Sequence, residues 1–263
     1  MKASIDSRDW YSALGAMIGA ASDTELADAL AGAIGSGVKH EGTCLLAFHR
    51  DASPEILHHT LDAAGREHYL DRYLAGPYLL DPLYQLAVAK TKPSVCRFRE
   101  ASPDRFRSSE YYRQYCERTH LVDEMDYLVD VAADTTVALV VGRRTRVFNR
   151  GEVGRLQLIE PLVRSAMLKV WTLHTVSRPR KEDSTELHRR LTECFDHFGA
   201  SVLTQRERQI SQLLLRGHSS KSVARQLKIA PGTVMVHKRN LFAKLGISSQ
   251  YELFSLFIDE LGR

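Results

Sequence analysis

Residues 203–247 read LTQRERQISQLLLRGHSSKSVARQLKIAPGTVMVHKRNLFAKLGI. Thr204 stands just before an apolar periodic run and Glu207 follows three residues later, the pattern of a capping box at a helix start. Ile210, Leu213 and Leu214 give that helix a buried stripe, and Gly217 ends it. The spacing predicts a second short helix with Val223, Ala224 and Leu227 inward, then a tight turn over Lys228–Ala230. A third helix opens with Pro231 in its first turn, where a missing N–H costs nothing. Val234, Leu241 and Leu245 line its buried side, which leaves Met235, Val236, Arg239 and Ala243 facing outward. Two short helices joined by a tight turn, the second of them basic, describe a helix-turn-helix whose second helix lies in the major groove.

The charge around this stretch agrees. The chain has 263 residues and a formal net charge of +4, but Ser201–Ser249 carries nine Lys/Arg against one carboxylate. A solvated helix face mixes both signs; a segment this one-sided attracts a polyanion, and phosphate backbone is the leading candidate. A basic membrane-surface helix is the weaker alternative, because the positive charges are spread over several short helices. The last helix, Gln250–Leu261, has apolar residues on more than one side: Tyr251, Leu253, Phe254, Leu256, Phe257 and Ile258. One side covers the helix-turn-helix core. The surplus is either a self-associating face or a surface that packs on the amino-terminal domain.

This region resembles the LuxR/NarL-type DNA-binding domain. The resemblance rests on Leu203-Thr204, Arg206-Glu207, Gly217, Lys221, Ala224, Leu227, Ile229, Thr233-Val234, His237, Asn240 and Lys244-Leu245-Gly246. It implies that Met235, Val236 and Arg239 read base edges, that Thr233, Lys238 and Lys244 hold phosphates, and that Lys221 sits near the backbone. Arg239 can reach a guanine edge with two hydrogen bonds. Met235 stands where lysine is usual, Ala230 replaces the usual serine cap and Ser220 the usual asparagine, departures that bear on the operator sequence and not on the fold. His237 is equally a packing residue, and Lys228 equally a solvated one. The family generally dimerises through its last helix, which implies a homodimer reading two half-sites about one turn apart, with RNA polymerase a further candidate partner.

Upstream, Ser177–Ser184 (SRPRKEDS) is polar, contains Pro179 and lacks an apolar anchor, so it reads as the start of a linker. The expected organisation is a sensing or dimerisation domain over 1–176, a linker over 177–200 and the helix-turn-helix domain over 201–263. Helical spacing marks Trp10–Ile18 and Leu26–Ile34, with Asp23 as the N-cap between them. Strand-like runs follow at Thr43–His49, Ile56–Leu61, Ser94–Phe98, Met125–Val131 and Thr136–Gly142, the last two a hairpin turning near Ala133–Asp134. Helical segments intervene around Gly65–Leu74, Leu80–Ala89 and Ser108–Arg118. A long helix capped by Asn149 and Glu152 carries an apolar stripe from Val153 to Trp171, kinked at Pro161. The fold class is therefore α+β: an antiparallel sheet sandwiched by helices, GAF/PAS-like or autoinducer-binding-like, linked to an all-α four-helix helix-turn-helix domain.

At 44% apolar and 26% charged residues the composition is globular. Apolar runs such as Val137–Val141 are far short of a bilayer span, and Asp6 and Asp9 beside Lys2 and Arg8 spoil a signal-peptide reading of Trp10–Ala21. Cys44, Cys96, Cys116 and Cys194 lie far apart, as thiols in a reducing cytoplasm do.

Tyr69, Tyr73, Tyr78 and Tyr84 surround Asp81-Pro82 in YLDRYLAGPYLLDPLYQLAVAKTKPSVC (residues 69–96). Aromatics around one buried carboxylate can enclose a small ligand; equally, aromatics at helical spacing build core, and Asp before Pro caps helices. The order Tyr69, Tyr73, Asp81-Pro82, Pro93 is similar to the acyl-homoserine-lactone-binding domain of quorum-sensing LuxR proteins. Tyr69 and Cys96, however, stand where that family has tryptophans, and the gap from Tyr73 to Asp81 is one residue short. Losing the tryptophan donor argues against a lactone. The resemblance implies a small-molecule effector of another kind, held by Tyr69, Tyr73, Asp81 and Tyr84; if Asp81 and Glu124 are buried together with the tyrosines, they suit an amine. Ser108–Tyr115 and Thr119–Asp126 read either as a helix leading into a strand beside this pocket or as a surface helix and an acidic loop.

Three other readings compete. A phosphorylated receiver would use Asp51 and Lys92-Pro93, but the acidic pair that binds its magnesium is missing and the first 35 residues are helical. An enzyme would draw on His58-His59, His120, Asp123 and Glu124, yet their spacing forms no nucleophile elbow, zinc cluster or phosphate loop. No cofactor or metal is expected. Last, the amino-terminal domain could be an interaction module without a ligand, pairing through Val153–Trp171.

Overall fold

In the computed structural model, residues 5, 7–89, 94–117, 120–177 and 183–261 are described. The chain opens with two helices, α1 (Arg8–Gly19) and α2 (Asp23–Gly37), followed by strands β1 (Gly42–His49) and β2 (Glu55–His59). A broken helical stretch over 63–80 leads into α3 (Pro82–Ala89) and β3 (Val95–Arg97). After irregular turns come β4 (Asp123–Asp130) and β5 (Thr135–Arg143), then α4 (Arg150–Leu158) and α5 (Glu160–Ser177). The rest is helical: α6 (Asp183–His197), α7 (Gln205–Leu215), α8 (Ser220–Leu227), α9 (Pro231–Leu245) and α10 (Gln250–Leu261).

The five strands form one antiparallel sheet in the order β2-β1-β5-β4-β3. Both faces are covered, so the central strands read as continuous apolar runs; β5 is buried along almost all its length. On one face Leu45, Ala47, Met125, Tyr127, Val137, Leu139 and Val141 meet Trp10 and Met17 of α1, Leu26, Leu30 and Ile34 of α2, and Val163, Met167 and Val170 of α5. On the other, Cys44, Leu46, Phe48, Leu128 and Ala138 meet Tyr78, Leu83 and Tyr84. That second core does not stop at the domain edge. It runs on through Leu191, Phe195 and Phe198 into Ile210, Leu214, Val234, Leu241, Phe254 and Phe257.

Local chemistry explains most boundaries. Asn149 caps α4, and Glu152 returns a bond to the Asn149 N–H, as expected. The long helix breaks at Ile159, two residues before Pro161, since the proline ring disfavours helix continuity there. At α2 the cap is Ser22 and not Asp23: the Ser22 hydroxyl accepts from the Glu25 N–H at 3.2 Å. Asp23 instead turns inward, where its Oδ2 lies 2.9 Å from His174 Nδ1; His174 Nε2 lies 2.9 Å from Glu55 Oε1. This buried imidazole ties α2, β2 and α5 together. The imidazoles of His49, 3.8 Å away, and His174 hold the Glu55 carboxyl down at about 2. The segment expected as linker is helical over Asp183–His197, because Leu191 and Phe195 give it an apolar stripe that the shared core buries. Of the Ser177–Ser184 linker reading, residues 178–182 lie outside the described residues, as do Lys92 and Pro93.

Candidate functional site

The helix-turn-helix is built as its sequence implies. Thr204 and Glu207 form the capping box of α7, with Glu207 N–H to Thr204 Oγ1 at 3.3 Å and Thr204 N–H to Glu207 Oε2 at 2.9 Å. α8 ends at Lys228 in the left-handed region (φ 54°), and the Ile229 N–H returns to Ala224 O at 3.0 Å. Ala230 caps α9 without a side-chain bond, and Pro231 fills the first helical position.

Val234 and Leu241 are fully buried, so the opposite side of α9 faces solvent. Met235 is 64% exposed and Val236 47%; Thr233, Arg239 and Lys221 are also exposed. Two of the expected phosphate holders also have neighbours within the helical unit. Lys244 Nζ donates to Glu207 Oε2 at 2.7 Å, clamping α9 to the capping box of α7. Burial pushes the Glu207 carboxyl up, and the bonds from Lys244 and Thr204 more than reverse this. Lys238 is half-buried over the Phe242 ring at 5.2 Å; burial and then Arg105 lower its pKa.

A short segment of the amino-terminal domain grips this unit. The Arg105 N–H donates to Gly217 O at 3.1 Å, and the Ser219 N–H donates to Asp104 Oδ1 at 3.0 Å. Phe106 lies over Gly217, where φ is +89° and an added Cβ would sit 2.9 Å from the Phe106 Cα. Tyr78 Oη is 2.8 Å from His188 Nδ1 of α6. The surplus apolar side of α10 is thus accounted for in part: it packs on the amino-terminal domain, with Leu261 beside Gly76.

The second site is a cavity of about 720 Å³ on the same face of the sheet. Its floor is Cys44, Leu46, Glu124 and Val140; its walls include Tyr69, Tyr73, Asp81, Phe98, Phe106, Tyr111 and Tyr112. Ile258 and Leu261 of α10 close one side. Of the expected ligand residues, Tyr69, Tyr73 and Asp81 meet here and Tyr84 does not. Tyr84 is turned into the shared core against Phe48 and Tyr78, with ring centroids 5.6 and 5.1 Å apart, because α3 presents that side to β1 and α6.

Asp81 accepts from Tyr73 Oη at 2.6 Å and from the Leu83 N–H at 2.9 Å. Burial nevertheless raises its carboxyl to about 6. Glu124, raised to about 7 by burial, and Asp126, well above the ordinary range for the same reason, stand on the neighbouring strand. Thr119–Asp126 is therefore not an acidic loop from Asp123 onward but the start of β4. Tyr111 and Tyr112 also line the cavity, and Asp126 lies behind Glu124; the signal for the latter pair was two acids two residues apart on an otherwise apolar strand, which places both on one face.

Residues 201–257 match the family described as bacterial regulatory proteins, luxR family. The chain is 30% identical over 186 residues to the Aeromonas salmonicida protein described as "Putative HTH-type transcriptional regulator in exeN 3'region", covering 69% of this chain and 94% of that one. It is 27% identical over 200 residues to the monoamine regulon transcriptional regulator of Klebsiella aerogenes, covering 76% and 75%. In structure it is similar to the VqsR LBD domain from Pseudomonas aeruginosa, with a TM-score of 0.57 at 25% identity, over 64% of this chain and 99% of that domain.

Proposed function

This chain belongs to the LuxR family of bacterial regulatory proteins, and from that premise we propose that it is a small-molecule-responsive regulator that binds a near-palindromic operator as a homodimer. Met235, Val236 and Arg239 read base edges; Thr233, Lys221 and Lys238 meet phosphates. Lys244 acts first by fixing α9 and only then through its charge.

One observation carries the sensing half. The cavity is bounded by both units: Ile258 and Leu261 belong to the DNA-binding side, and Asp104 and Phe106 border the cavity in the same segment that holds Gly217 and Ser219. An occupant therefore makes different contacts in the docked and released arrangements, which is the condition for a ligand to shift their populations. The docked arrangement also keeps Asp104 at the N-terminus of α8, a position that suits a phosphate. This favours a sensor over an interaction module without a ligand.

Selection of duplexes from a random library by the full chain tests the reading. The expected result is a two-fold symmetric consensus with half-sites about one helical turn apart, and binding that weakens steeply with salt. Enrichment of no sequence at low salt, or of an asymmetric one, overturns it.

A further inference from the structure

We infer that the cavity takes an organic cation, a primary amine on an apolar or aromatic body, with its ammonium group held by Glu124 and Asp81 in front of Asp126. This deepens the sensing proposal and rests on it.

The inference begins with two adjacent residues of β4. Asp123 borders the cavity, but its carboxylate is fully paired: Arg97 Nε donates to its Oδ1 at 2.8 Å, and the Phe148 N–H to its Oδ2 at 2.7 Å. Strand alternation sends Glu124 and Asp126 the other way, with Leu128, onto the cavity face. Asp126 lies across from Val140, which lines the cavity. It is fully buried, and among the described residues the one group that reaches its carboxyl is another acid, Glu124, with no cation beside either. Among the described residues, no lysine or arginine pairs with Asp81, Glu124 or Asp126. The arginines of the lining (Arg72, Arg99, Arg107 and Arg144) are exposed and sit at its rim.

A buried carboxyl is ordinarily paired or neutral. Two that line one void, Asp81 and Glu124, with Asp126 behind Glu124 on the same strand face, leave a place for one positive charge. An ammonium brings three donors for these acceptors, and it is attracted to aromatic faces of the kind Tyr69, Tyr73, Tyr111 and Tyr112 supply. Leu46, Leu83, Phe98 and Val140 give an apolar body somewhere to lie. The volume is in the usual range for a small-molecule site. A neutral ligand would leave the acids protonated; an acidic one would meet them as like charges.

The test is a melting-temperature series on the full chain at pH 7.5 with hexylamine, 2-phenylethylamine and 1,6-diaminohexane, each beside its alcohol counterpart, and with acyl-homoserine lactones. Binding to the folded state alone raises the melting temperature. The expected result is a shift with at least one amine and none with its alcohol. In Glu124→Gln and Asp126→Asn that amine should bind about thirtyfold or more weakly, as when one partner of a buried charge pair is removed. Both variants should melt no lower than the parent without amine, since each removes a buried acid that lacks a cation. A shift with alcohols or lactones but with no amine overturns the cation and keeps the sensor. No shift with any of these compounds overturns the cation, and the sensor falls with it if broader metabolite pools are equally silent. An amine shift undiminished in both variants also overturns the assignment.

Discussion

The two faces of the sheet are made by the same strands and finished in opposite ways. On one, α1, α2 and α5 cover the strands with apolar side chains, and a buried imidazole, His174, is bonded on both sides by Asp23 and Glu55. On the other, the packing stops short of Glu124 and Val140, leaving a cavity with carboxyls that no described lysine or arginine pairs, and what covers it includes a helix of the DNA-binding unit. The first face holds the fold together; the second can respond, because a void and a movable cover give a ligand something to change. Natural proteins depart from complete packing and complete pairing mainly where they function.

The largest effects should fall on the closed face. Met167→Ala and Ile34→Ala remove fully buried side chains and should each cost about 2–5 kcal/mol. Val140→Ala, which trims a wall that already borders empty space, should cost less than either. Denaturant melts of the three variants check this, and equal losses would erase the contrast between the faces.

The faces should also answer pH with opposite signs. Asp81 and Glu124 are raised to about 6 and about 7 in the fold, so the folded state holds their protons more tightly than the unfolded chain. Their contribution is complete at low pH and is lost as pH climbs through those values. Glu55 runs the other way: held at about 2, its contribution is present above its ordinary 4.5 and is lost as pH falls toward 2. Ligand-free protein should therefore melt lower at pH 8 than at pH 5, through Asp81 and Glu124, while Glu55 works against the fold as pH falls toward 2. Glu124→Gln should flatten the alkaline limb and leave the acid limb alone.

How much of this was readable beforehand also differs between the faces. All five strands and the capping boxes at Asn149 and Thr204 were legible, because hydrophobic period and capping chemistry are local. The cap of α2 slipped by one residue, since Ser22 and Asp23 are both good caps and only the distant His174 decides between them. Tyr69, Tyr73 and Asp81 line the cavity and Tyr84 does not, because helical spacing says that aromatics share a side without saying which neighbour occupies it. The shared core was out of reach: whether Leu261 meets Gly76, or Phe106 meets Gly217, depends on parts of the chain far apart in sequence.

On the DNA side the comparison is between Arg239 and Lys221, both exposed. Arg239→Ala should cost about 1–3 kcal/mol at one base position and relax specificity there; Lys221→Ala should weaken all duplexes alike and flatten the salt slope by about one. Lys244→Ala should differ from both by lowering the melting temperature, because it strands Glu207, 3% exposed, without its ammonium partner. Melting curves beside duplex titrations at two salt concentrations separate the three.

The smallest effect concerns the seam. Asp104 is exposed, so the bonds it accepts from the Ser219 N–H and Oγ are together worth about 1 kcal/mol or less. Asp104→Ala should thus leave the melting temperature nearly unchanged. Yet a bond made only in the docked arrangement acts entirely on the balance between docked and released forms, and 1 kcal/mol there is about a fivefold change in their ratio. The variant should bind duplex up to about fivefold more tightly than the parent without ligand, through release of the α8 N-terminus. It should gain less, or nothing, once ligand has already released that helix. Titrations of parent and variant with and without the amine that shifts melting would show this; equal ligand-free affinities would mean that residues 104–106 cover the cavity without restraining the DNA-binding unit.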